Sequence, residues 1–201
     1  MTAQHLKLGF LASRNGSSAR AVIAAIESGR LDASARLVVS NNRTAPLLAF
    51  AEAHAIPALC IATQADPRAA DARLSEALQT AGVELVVLSG YLRQLGPKVL
   101  GAYRNRVLNI HPGPLPRFGG HGMYGRHVHE AVIAAGVAES GACILVVDEE
   151  YDHGPVIARH VVPVEPGDTA ETLEARVTAA EPGFFVETLQ RIAQGELKLP
   201  G

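Results

Sequence analysis

Long hydrophobic runs are missing from this 201-residue chain. The first apolar stretch, Leu6–Leu11, is far too short for a signal peptide or a membrane span, and the opening Met1–Lys7 is polar. The expectation is a soluble, cytoplasmic protein with no membrane partner. Cysteine is scarce: Cys60 and Cys143 are the two present, far apart and outside any metal-ligand or redox spacing. Both read as reduced core residues. An excess of basic charge is lacking too. Eighteen Lys and Arg stand against 20 Asp and Glu, a formal net charge of -2. The scattered cations form no stripe suited to a phosphate backbone, which argues against a nucleic-acid partner.

Several chemical signatures are also absent. There is no GxGxxG dinucleotide fingerprint, no Walker A sequence and no GxSxG nucleophile elbow. His121, His127 and His129 are not followed by a carboxylate or Cys at the spacing of a zinc motif, so no metal is expected. Cys143 lies in an apolar run that would raise its pKa, which speaks against a covalent intermediate.

What is present is a well-filled interior: 48% of residues are hydrophobic and 19% charged, enough for one domain spanning residues 1–201. Apolar, β-branched runs recur as LKLGFLA, ARLVVS, PALCIA, ELVVLSG, RVLNIH, ACILVV and VIARHVV. Between most of them lie stretches with apolar residues at three- and four-residue spacing. These predict helices over Ala19–Ser28, Ala45–His54, Arg68–Ala81 and His127–Ala135. The alternation gives an α/β class: a Rossmann-like, mostly parallel central sheet with helices on both faces. A last helix, Ala170–Ala193, contains Pro182 and Gly183, which are expected to kink or split it. No repeat, low-complexity tract or linker interrupts the pattern.

The polar residues gather at the ends of the apolar runs. After the first strand, Ser13-Arg14-Asn15-Gly16-Ser17-Ser18 leads into a helix, either as a plain turn with Ser17 or Ser18 as N-cap or as an anion site on backbone N–H groups. Leu108-Asn109-Ile110-His111-Pro112 ends a strand at the edge where α/β sheets deliver ligands, with Asn109 and His111 on one face. An Asn amide can donate to a developing oxyanion and a His can donate a proton, which suits addition to a carbonyl. Asp152, in the carboxylate-rich loop Asp148–Pro155, is the candidate group to orient His111 and keep it charged. The segment HPGPLPRFGGHGMYGRH is too rich in Pro and Gly for a simple connection and reads as a functional loop.

In this order the motifs Ser13–Ser18, Ser89–Leu95, Leu108–Pro116 and Asp148–Pro155 resemble the glycinamide ribonucleotide formyltransferase family over nearly the whole chain. The resemblance implies 10-formyltetrahydrofolate as cosubstrate, with no metal. It implies transfer of the formyl group to the amine of glycinamide ribonucleotide, giving formylglycinamide ribonucleotide in purine biosynthesis. By position Asn109 would hold the oxyanion, His111 would donate the proton and Asp152 would keep His111 charged. Folate would lie against Arg68, Leu92, Arg93, Gln94, Leu95, Asn109 and the loop Asp148, Glu149, Glu150, Tyr151 and Asp152. The acceptor would meet Asn15, Gly16, Ser17 and Ser18 with its phosphate and Thr178 and Glu181 with its other end. The partners would be these small molecules, and the protein a monomer or homodimer.

The chain departs from the family at Ser18, where Asn is usual, at Arg14, where Gly is common, and at Leu145, where many relatives carry His. Pro182 beside Glu181 and a longer loop over Arg117–Arg126 also differ. These changes cluster on the acceptor side. They leave open another amine, such as a nucleotide-linked amino sugar, or a non-catalytic folate-binding module. Methionyl-tRNA formyltransferase and formyltetrahydrofolate hydrolase share the catalytic trio but carry further domains that are not expected here.

Overall fold

The computed structural model describes residues 4–201; Met1–Ala3 of the polar opening lie outside them. The elements run β1 (Leu6–Leu11), α1 (Ser17–Glu27), β2 (Ala33–Ser40), α2 (Pro46–Ala53), β3 (Ala58–Cys60), α3 (Pro67–Thr80), β4 (Leu85–Leu88), α4 (Pro97–Ala102), β5 (Val107–His111), α5 (Arg126–Ala134), β6 (Glu139–Val146), β7 (Val156–Pro163) and α6 (Ala170–Ala193). Each of the apolar runs picked out in the sequence becomes a strand. They form one sheet in the order β3-β2-β1-β4-β5-β6-β7. The pairs from β3 to β5 are parallel, and β6 and β7 add on antiparallel.

Strands buried on both faces need apolar residues at successive positions, and β4 is buried throughout. On one face Leu8 and Phe10 of β1 meet Val22 and Ile23 of α1 and Phe185 and Leu189 of α6. On the other, Leu11, Val39 and Val86 meet Leu74 and Leu78 of α3 and Val99 of α4. Each such side chain stabilises the fold by about 2 kcal/mol relative to exposure. Gly9 fixes how closely α3 lies on β1: a Cβ there would stand 2.9 Å from both Leu78 and Val83. Strand order reverses between β1 and β4, which opens a crevice beyond their carboxyl ends.

Three details differ from the sequence expectation. The helix bounds shift by one or two residues, the usual slack of helix ends. The short α4 was not anticipated, because six residues including Gly101 show no usable periodicity. Its first turn is held by the buried Asp71 carboxylate, which accepts from the N–H groups of Lys98 (2.8 Å) and Val99 (3.2 Å). Finally, α6 is one helix of 24 residues that runs unbroken through Pro182. Leu173, Val177, Phe185, Leu189 and Ile192 are buried along it, and this apolar face outweighs the one backbone hydrogen bond that proline cannot donate. Among the described residues no helix is long and apolar enough to cross a membrane.

Candidate active site

At the end of β5, Leu108 and Ile110 enter the core beside α1 and α6, so the strand's alternation sends Asn109 and His111 to the opposite face. Asn109 lies in register between Leu88 of β4 and Leu145 of β6. His111 is 3% exposed, its Nε2 is 2.7 Å from the Phe118 carbonyl oxygen, and its Nδ1 is 3.2 Å from Asp152 Oδ2. A carbonyl only accepts, so Nε2 carries a hydrogen and donates it. With Nε2 turned to that carbonyl, Nδ1 is the ring atom that faces the Asp152 carboxylate.

Asp152 is held from several sides. Its carboxylate accepts from the Gly120 N–H at 3.2 Å, and its backbone is left-handed with φ 54°, a conformation Asp tolerates better than most residues. The glycine-rich loop presses against it: a Cβ on Gly119 would run into Leu115 and stand 3.0 Å from Asp152 Cβ. Behind it the loop after β6 closes at Gly154, where any Cβ would run into the Val146 carbonyl.

The expected folate residues converge on the neighbouring crevice. Leu92, Arg93 and Gln94 after β4 are exposed, while Leu95 is buried against the α3 and α4 core. Gln94 Nε2 donates to the Glu149 carbonyl at 2.8 Å and joins this loop to the one after β6. Below the bridge a cleft of about 470 Å³ is lined by Thr63, Pro67, Tyr91, Gln94, Leu95 and Glu149. Burial pushes the Tyr91 hydroxyl up to about 12, with Arg93 opposing and Asp71 adding to the shift. Arg68 stands exposed in the first turn of α3, next to Pro67 on the cleft wall. Asp148 shapes its own loop: it accepts from the Glu150 N–H at 2.9 Å and pairs with His153 at 2.8 Å, which raises the His153 pKa. Leu92 and Tyr151 are 51% and 48% exposed, large apolar surfaces left in water at the crevice. Glu150 is exposed.

At the start of α1 the N-cap is Gly16, with left-handed φ 61° and no side-chain cap, so neither Ser17 nor Ser18 caps the helix as the plain-turn reading required. Ser89 Oγ accepts from the Ala19 N–H at 3.2 Å, whereas the N–H groups of Ser17 and Ser18 meet no acceptor among the described residues. Asn15 is exposed beside them. On α6, Thr178 is exposed and Glu181, one turn on, is half-buried. Burial pushes the Glu181 carboxyl up to about 7, with the nearby His111 opposing. The continuous α6 thus delivers Glu181 to the same centre as β5.

A profile of the formyl transferase family matches residues 6–189. The chain belongs to the formyl transferase family. It is 36% identical over 196 residues to the chloroplastic phosphoribosylglycinamide formyltransferase of Vigna unguiculata, covering 96% of this chain and 63% of that protein. With the phosphoribosylglycinamide formyltransferase of Bacillus subtilis (strain 168) it shares 32% over 188 residues, 92% of this chain and 94% of the relative. The solved phosphoribosylglycinamide formyltransferase of Coxiella burnetii, in complex with CHES, superposes with a TM-score of 0.88 at 32% identity, covering 98% of this chain and 92% of that one. The Rossmann-like formyltransferase fold expected from the motifs is the fold found.

Some groups of this formyl transferase's centre were not legible beforehand. Phe118 contributes only a carbonyl, and backbone atoms carry no residue signature. The Gly119-Gly120 pair was the visible sign that a loop packs tightly there. His129 on α5 was weighed only as a metal ligand. It is 1% exposed with Nδ1 unpartnered, and its pKa is lowered by burial, with Glu174 opposing and His111 adding to the lowering. Among the described residues no group of three His, Cys, Asp or Glu side chains could hold a metal ion. Leu145 is 1% exposed in an apolar cluster with Leu115 and Cys143.

Proposed function

We propose that this chain, read as one formyltransferase domain, transfers the formyl group of 10-formyltetrahydrofolate to the amine of glycinamide ribonucleotide. The products are formylglycinamide ribonucleotide and tetrahydrofolate, a step of purine biosynthesis in the cytoplasm. One observation carries the reading: His111 is anchored by Phe118 through Nε2 and faces Asp152 at 3.2 Å through Nδ1, two residues along the strand from Asn109. The amine attacks the formyl carbon and forms a C–N bond, and the carbonyl oxygen becomes an oxyanion that the Asn109 amide meets as donor. His111, held in its charged form by Asp152, supplies a proton as the centre develops charge. Collapse breaks the bond to the folate nitrogen, which leaves with a proton, and the proton lost by the attacking ammonium restores the pair.

The folate ring system lies against Leu92 and Leu95 and the loop Asp148–Asp152, with Gln94 and Glu149 bridging the walls and Arg68 and Arg93 at the anionic end. The acceptor phosphate rests on the N–H groups of Gly16, Ser17 and Ser18 beside Asn15, where the unpaired amides and the helix dipole favour an anion. Thr178 and Glu181 receive the ribose and glycinamide end. The unbroken course of α6 supports this placement, since Pro182 does not displace Glu181 from the His111 centre.

The test is conversion of 10-formyltetrahydrofolate to tetrahydrofolate, followed by absorbance at neutral pH, with and without glycinamide ribonucleotide. Turnover that requires this acceptor supports the proposal. Equal turnover without it would make the protein a hydrolase, and no turnover despite folate binding would reject this acceptor.

A further inference from the structure

The segment after β5 carries Pro112, Pro114 and Pro116, so three of its backbone positions have no N–H to donate. It turns back on itself through two bonds of its own. The Phe118 N–H donates to the Pro114 carbonyl at 3.1 Å and the Gly119 N–H to the Pro116 carbonyl at 3.4 Å. Leu115, between these acceptors, is 5% exposed, and its carbonyl is met from outside the segment. Arg159 Nη1 donates to it at 2.9 Å, reaching in from β7, the edge strand of the sheet.

Strand register sets the course of that side chain. His111 of β5 stands opposite Cys143 of β6, and Cys143 opposite Arg159 of β7. Opposed residues of antiparallel strands share a face, so the three form one row across the sheet. Cys143 is 2% exposed, and its Sγ accepts from the same Nη1 at 3.4 Å. Arg126 and Arg176 are paired with carboxylates at 2.8 Å, whereas Arg159 has none within ion-pair distance among the described residues. Its charge is directed onto a neutral carbonyl instead, and a bond from an ionised donor is the stronger kind.

Leu115 passes this anchorage to the reacting centre by two routes. Three residues on, the Phe118 carbonyl accepts from His111 Nε2 at 2.7 Å. The Leu115 side chain lies where a Cβ on Gly119 would stand, and the next residue, Gly120, donates its N–H to Asp152 at 3.2 Å. We infer that Arg159 is a positioning residue for formyl transfer: through Leu115 it fixes the turn whose Phe118 carbonyl and Gly120 N–H hold His111 and Asp152 against each other. Its own hydrogen bonds go to neither member of the pair. The inference rests on the proposal that this pair drives the transfer.

Two variants test it. Arg159→Met keeps the aliphatic stem and removes the donors, and Arg159→Lys keeps a charged donor. Each is compared with the parent by steady-state kinetics with both substrates varied, by thermal unfolding, and by NMR of the His111 Nε2–H, identified by its absence in His111→Gln. In the methionine variant kcat should fall by about tenfold, since a misplacement of about 1 Å can cost about 100-fold. Both KM values should stay nearly unchanged, and the lysine variant should recover most of the loss. The ring N–H signal, protected from exchange in the parent, should be lost in the methionine variant and return with lysine. Parental kcat in the methionine variant overturns the inference, as does a loss confined to KM or to the unfolding temperature. A fall in kcat with the His111 signal intact also overturns it. If the parent shows no turnover that requires glycinamide ribonucleotide, the reaction proposed above falls by itself. The ring signal then still decides Arg159: its loss in the methionine variant supports the anchorage, and its persistence overturns it.

Discussion

His111 and Asp152 are 3% and 10% exposed and already bonded to Phe118 and Gly120, whereas Arg68 and Arg93 stand in solvent with no ion-pair partner among the described residues. The two regions lie on neighbouring loops of one sheet edge, and the proposed reaction gives them different tasks. Groups at the reacting centre are fixed before substrate binds, so little reorganisation is left for the transition state. Groups on the rim are screened by water and ordered only by the ligand, so each contributes less and contributes to binding. The centre should therefore fail in turnover and the rim in affinity.

The sharpest test of that division is the pair itself. His111→Ala and Asp152→Asn are each expected to lower kcat by about 100-fold or more, as loss of general-acid catalysis does, with folate KM nearly unchanged. Steady-state kinetics with both substrates varied separates the two parameters. A loss confined to KM would put these residues on the binding side and break the comparison. Next in size is Gly119→Ala, which adds a methyl that must displace Leu115 or Asp152. Overpacking of this kind costs about 1–3 kcal/mol. The expectation is a drop of about tenfold in kcat with the fold retained, checked by thermal unfolding alongside kinetics.

How much of this was legible beforehand follows the same division. The strands could be read because burial on both faces forces apolar residues at successive positions, as in Leu85–Leu88. The nearness of His111 and Asp152 could be anticipated because polar side chains at strand ends have little use in packing, and the two stand 3.2 Å apart as chain order suggested. What stayed hidden is carried by backbone or by distant packing. The Phe118 carbonyl and the Gly120 N–H have no side-chain signature, and the Asp71 cap on α4 joins residues 27 and 28 positions apart. Of the two outcomes expected at Pro182, a split does not occur, because the buried face of α6 holds the helix together, which a single-residue rule does not weigh.

On the rim, Arg68→Ala is expected to raise the folate dissociation constant by about tenfold or less, since an exposed guanidinium is worth about 1 kcal/mol or little more. Acceptor affinity should not move. Fluorescence titration with each ligand in turn decides the point, and equal folate affinity in parent and variant would remove Arg68 from the site.

Glu181 lies between the two regions and yields the smallest but most diagnostic effect. Its carboxyl sits at about 7 in the folded protein because burial penalises the charged form, against an ordinary value of 4.5. The folded state therefore holds this proton more tightly than the unfolded chain. The stability it contributes is fullest below 4.5 and is lost as pH rises through about 7. Glu181→Gln removes the titration, so the variant should gain stability relative to the parent between about pH 5 and about pH 8, by about 1–2 kcal/mol given partial exposure. Urea unfolding at the two pH values measures it. The same ionisation should govern binding: the parent's acceptor KM should fall as Glu181 ionises through about 7, while the variant's stays higher by a few-fold and loses that component of the pH dependence. A stability gain without an acceptor effect would make Glu181 a buried carboxyl of the scaffold. An acceptor effect with no change in stability against pH would place it with the exposed rim.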